Sequence, residues 1–169
     1  MASNGKETYC VYLELEGYLR DWVIDENGGD SPILFPKLSV ENRILQTYLR
    51  KTPWNALPDM PGDNTVAIAI PNFRHTDPTT YNYLPKPQKH ILKNCIRNRF
   101  LINLWMDLHQ FGYIGKRRDH LIIEWMQKHG IEVDDKNFNT VIKIYQRMRN
   151  AYMQRERRRK KRQNAKKCS

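Results

Sequence analysis

The hydrophobic period of this chain changes once, near Pro85, and that change sets its fold class. Up to Leu84 the apolar residues fall in short alternating or continuous runs, separated by proline- and glycine-containing segments. From Lys89 to Tyr152 they recur at steps of three and four residues. A period of two marks strands and a period of 3.6 marks helices. Strands confined to one part of a chain and helices dominating the rest predict an α+β protein.

In TYCVYLELE, Val11, Leu13 and Leu15 point one way and Tyr12, Glu14 and Glu16 the other, which is a half-buried strand. GYLRDWVIDENGG then places Leu19, Trp22, Val23 and Glu26 on one helical face, with Gly28 and Gly29 as a stop. A bent continuation of the strand is the alternative there. SPILFP, bounded by Pro32 and Pro36, reads as an edge strand. Ser39 is placed to cap a helix striped by Ile44, Leu45, Tyr48 and Leu49. TVAIAIP is apolar on both faces and is expected to be a central strand. Residues 52–64 and 72–87 read as loops. Residues 1–84 are thus expected to form a small three-stranded sheet with two helices.

Three helices follow over residues 85–154. The first, about 88–111, carries Ile91, Leu92, Cys95, Ile96, Phe100, Leu104, Trp105, Leu108 and Phe111 at helical spacing. The second, about 117–129, carries Leu121, Ile122, Trp125 and Met126, and Gly130 ends it. The third starts at Asp134 or Asp135 and bears the stripe Phe138, Val141, Ile142, Tyr145, Met148 and Tyr152. Helices two and three with their glycine turn have a helix-turn-helix-like outline. A plain three-helix bundle has the same pattern. Residues 155–169 continue as a basic helical extension.

Charge divides along the chain. Residues 1–84 hold 7 Lys and Arg against 11 Asp and Glu, and residues 85–169 hold 22 against 7. In the tail Arg155, Arg157, Arg158, Arg159, Lys160, Lys161, Arg162, Lys166 and Lys167 face only Glu156. Such a block repels itself unless a polyanion neutralises it, and nucleic acids are the commonest polyanions in a cell. A membrane-surface helix would interleave apolar residues with the charges, and here only Ala165 does so. Lys116, Arg117 and Arg118 form a second cluster, where free helix amides add to the attraction for phosphate. On the third helix Asn139, Lys143, Gln146, Arg147 and Asn150 lie opposite the apolar stripe, and these types reach base edges or phosphates. Lys86, Lys89, Lys93 and Arg97 share a face of the first helix, as a phosphate-tracking stripe or an ordinary solvated face would.

Signals for catalysis are weak. Glu14 and Glu16, with Asp21, Asp25 and Glu26 following, offer carboxylates of the kind that hold Mg²⁺ in nucleases, but no lysine completes such a site. The five histidines make no zinc spacing with each other or with cysteine. No cofactor or metal is implied. Cys10, Cys95 and Cys168 are odd in number and far apart, which predicts free thiols and a reducing compartment. Without a secretory core or a span-length apolar run, the expectation is cytoplasmic, with no membrane contact. Trp105 and Trp125 read as core, and Trp54, in a proline-rich loop, as exposed.

The reading is a non-catalytic nucleic-acid-binding protein, with DNA ahead of RNA. Residues 1–84 are left for protein contacts, including a homodimer paired through SPILFP. The alternative is an interaction or assembly protein of a large nucleoprotein or viral particle. An exposed apolar patch on the N-terminal part would favour that alternative.

Overall fold

The computed structural model describes residues 8–57, 59–74, 76–111 and 117–167. Its elements in chain order are β1 (Cys10–Glu14), α1 (Gly17–Asp25), α2 (Val40–Tyr48), β2 (Arg50–Lys51), β3 (Thr65–Ala69), β4 (Tyr81–Tyr83), α3 (Lys86–Phe111), α4 (Arg118–Lys128) and α5 (Asp135–Lys167). The protein is α+β. The chain divides into two compact units, residues 1–101 with 129–131, and residues 102–128 with 132–169. Helix α3 contributes its first sixteen residues to one unit and the remainder to the other.

In the first unit β1 and β3 pair antiparallel, with Val11 opposite Ile68 and Leu13 opposite Val66. All four side chains are buried on one face, as the alternation of β1 requires. β3 is held from both edges. β1 lies on one side, and on the other Ile33 donates its amide to the Ala67 carbonyl and accepts from the Ala69 amide. TVAIAIP thus has a neighbour on each edge, but only β1 pairs with it as a strand, so it is not the central strand of a three-stranded sheet.

SPILFP is not a strand, which corrects the sequence expectation. Ile33 makes a single parallel bridge, in a stretch kept to three residues by the fixed φ of Pro32 and Pro36 on either side. The single three-stranded sheet is likewise corrected to two two-stranded sheets. The second joins β2 to β4 with an irregular register, inside segments expected to be helix end and loop.

The helices of this unit follow their sequence signals. Ser39 accepts the Asn42 amide at 3.1 Å and caps α2. Helix α1 ends where Gly28 and Gly29 take φ of 106° and 81°, a region that disfavours side chains. Phe100 stands at the centre of the unit. The Tyr18 and Trp22 rings meet it edge-on, with centroids at 5.1 and 5.5 Å. Beside them lies an ion pair whose carboxylate is buried and whose guanidinium is partly exposed. Glu41, 2 % exposed, meets the Arg99 guanidinium at 3.1 Å, and that guanidinium also lies over the Trp22 ring. Gly130 has φ of 62°, and a Cβ there would come within 3.1 Å of the Asp25 carboxylate.

In the second unit α4 packs on α5. Ile122, Trp125, Met126, Val141 and Tyr145 are buried. Asp107, set among the apolar residues of α3, has a structural use: its carboxylate accepts from the Trp125 indole N–H at 3.0 Å. Asp134 accepts the Asn137 amide and caps α5, and the Asn137 side chain donates to the Glu132 carbonyl at 3.1 Å. With 33 residues, α5 is about 50 Å long.

Candidate nucleic-acid interface

Helix α5 has two halves with different surroundings. In the first, Val141 and Tyr145 are buried, and Phe138, Ile142 and Met148 are half-buried, whereas Tyr152, expected in the same stripe, is exposed because it lies beyond the buried part of the helix. Asn139, Lys143, Arg147 and Asn150 are exposed and Gln146 is half-exposed, so the polar face lies where its spacing placed it. From Asn150 to Asn164 every residue is exposed except half-exposed Glu156. A helix polar all round gains nothing from burial, and its stability depends on its surface charges.

Those charges repel. Arg155 stands three residues from Arg158 and four from Arg159, and Arg158 three from Lys161 and four from Arg162. Each like-charged pair at these spacings costs about 0.2–0.5 kcal/mol. The relief within the segment comes from Glu156, which lies 3.7 Å from Arg159, and from the negative helix C-terminus. Arg155, Arg158, Arg159 and Arg162, with Gln163, line an open recess of about 430 Å³. Arg157, Lys160 and Lys161 occupy the other sides of the helix and are also exposed. The distal half of α5 therefore presents positive charge in every direction.

The other basic residues divide by their neighbours. Lys89 pairs with Asp59, Lys93 lies 3.4 Å from Glu16, and Arg99 is held by Glu41. Two of the four residues of the α3 stripe, Lys89 and Lys93, thus have acidic partners within the first unit, and Lys86 and Arg97 are exposed. Arg117 and Arg118 are exposed at the start of α4. Lys116 lies outside the described residues, as does Cys168.

Comparison with protein-family models, with curated proteins and with solved structures finds no match.

The unit totals sharpen the charge division seen in the sequence. The first unit has 12 Lys and Arg against 11 Asp and Glu, and the second has 17 against 7. The chain's excess of +11 lies almost wholly in the second unit.

Groups with chemistry of another kind are engaged locally. His129 is buried, with Nδ1 3.3 Å from Glu26. Burial pushes the thiols of Cys10 and Cys95 up from their ordinary value, and nearby Glu41 adds to the effect at Cys95. Both are free cysteines. A cavity in the first unit is lined by Tyr9, Asn72, Asp77 and Thr79 among others. The Thr79 amide and hydroxyl hold the Asp77 carboxyl below the usual range, in a turn that the Thr79 amide closes at 3.0 Å. Among the described residues no group of three or more His, Cys, Asp and Glu is placed to hold a metal. Among the same residues no helix is long and apolar enough to cross a membrane.

Two aromatic expectations differ in outcome. Trp125 is buried, as expected, but Trp105 is half-buried rather than core. It belongs to a ring cluster with His109, Tyr145 and Tyr152 that sequence reasoning passed over. The signal was present as a second periodic set on α3, Ile102, Trp105, Met106 and His109, beside the buried Leu104 and Leu108.

Proposed function

We propose that the protein is a non-catalytic nucleic-acid-binding protein in which α5 makes the contact. The observation that carries this is the concentration of charge in the second unit, on a helix half exposed on all sides. Arg155, Arg157, Arg158, Arg159, Lys160, Lys161 and Arg162 would neutralise phosphates, and the same neutralisation would relieve the repulsion between them. Arg117 and Arg118 add charge at a helix start. Asn139, Gln146 and Asn150, with Lys143 and Arg147 among them, supply amide and cationic donors for base edges and phosphates. In the finer form of the reading, α4, its turn and α5 act as a helix-turn-helix-like module.

The test is an anisotropy titration of the full chain with duplex DNA, single-stranded DNA and RNA at two salt concentrations. Binding that weakens steeply with salt, with a log–log slope of about −5 or steeper for duplex, is expected from six or more phosphate contacts. No binding at low salt to any of the three would remove the reading.

A second reading, an interaction or assembly protein, is favoured by one observation. Trp54 is 98 % exposed, and Leu57 and Met60, three and six residues on, are also exposed on the same proline-rich loop. Large apolar side chains in such a set are typical of a protein contact. On this reading the loop would engage a protein while α5 engages nucleic acid within a larger particle.

A further inference from the structure

The aromatic cluster of the second unit narrows the kind of nucleic acid, and this step rests on the reading just proposed. On α3, Ile102, Trp105, Met106 and His109 follow at steps of three and four residues and share a face. That face is not closed over. Ile102 and Met106 are each 57 % exposed, and Trp105 and His109 are half-buried. The Trp105 ring stacks on His109, with centroids 4.5 Å apart and planes at 22°. Tyr152 of α5 leans on both rings, at 5.4 and 4.9 Å, and is itself 38 % exposed.

Charge says what covers this patch. Arg155, Arg159 and Arg162 follow Tyr152 at three, seven and ten residues, on the same side of the helix. They lie about 4.5, 10 and 15 Å farther along its axis. A second copy docking through the same patch would set two units of 17 basic against 7 acidic groups face to face, which like-charge repulsion opposes. A polyanion that also carries flat π faces satisfies both parts of the surface. In a duplex those faces are covered by neighbouring bases, whereas a single strand presents them. We infer that the second unit binds single-stranded nucleic acid, with bases stacking on the Trp105–His109–Tyr152 cluster and the backbone following Arg155, Arg159 and Arg162.

The test compares wild type, Tyr152→Leu and Tyr152→Phe as full chains. Each is titrated with an oligothymidine and with a DNA duplex carrying the same number of phosphates. Tyr152→Leu keeps an apolar side chain and loses the ring, so single-strand affinity should fall about 5- to 100-fold. Its salt slope should not change, because no charge is removed. Duplex affinity should stay within about twofold, and Tyr152→Phe should bind the single strand as wild type does. Unchanged single-strand binding by Tyr152→Leu overturns the stacking step and leaves the electrostatic reading standing. Equal losses on single strand and duplex also overturn it. Failure of the wild type to bind either probe overturns both readings. A wild-type dimer, seen by sedimentation and dissociated by Tyr152→Leu, overturns the inference in favour of self-association.

Discussion

Removing residues 155–169 should strip the protein of most of its affinity for nucleic acid and flatten the salt dependence of what remains. Loss of about five phosphate contacts changes the log–log salt slope by about 4 to 5 units. Across a fourfold change in salt, that difference alone amounts to about 500-fold in relative affinity. The fold should persist. Residues 155–164 are exposed or half-exposed, and the caps and buried side chains of α5 precede them. Circular dichroism should show loss of the distal helix only, with the thermal transition kept. Anisotropy titration of the truncated chain then gives the slope. A slope equal to that of the full chain would place the phosphate contacts elsewhere.

Phe100→Ala should be the most destabilising single substitution in the first unit. Phe100 is fully buried and is met edge-on by Tyr18 and Trp22. Deleting a buried ring leaves a cavity and costs about 3–5 kcal/mol. Each aromatic contact adds about 0.5–1.5 kcal/mol beyond area. The neighbouring Glu41–Arg99 pair depends on the same packing, because Arg99 lies over Trp22. Urea unfolding should therefore show a midpoint far below that of the wild type. A loss under about 1 kcal/mol would mean that Phe100 is not the centre of the core.

Local signals were sufficient where an element depends on its own residues. β1 alternates without interruption, Ser39 and Asp134 cap in place, and Val141 and Tyr145 are buried as their spacing requires. SPILFP lies along an edge of β3, where prolines are tolerated, but the three residues between Pro32 and Pro36 form one bridge rather than a strand. β2 and β4 were missed because two and three residues are too few to show a period. The α3 lysines were indistinguishable from a phosphate stripe, since their partners Asp59 and Glu16 lie far off in sequence. Trp105 was read as core because helical spacing shows which residues share a face but not whether anything covers that face. The exposed side of α5 was legible for the same reason in reverse: a run so dense in charge has no buried side to offer.

If the distal half of α5 is the interface, amide hydrogen exchange of the full chain shows it most directly. Free, the helix beyond Tyr152 carries like charges at three- and four-residue steps and should exchange quickly. With saturating single-stranded DNA, amides of residues 153–164 should become protected, while those of β1, β3 and α2 stay as they were. Protection confined to the first unit, with residues 153–164 exchanging as in the free protein, would contradict the account.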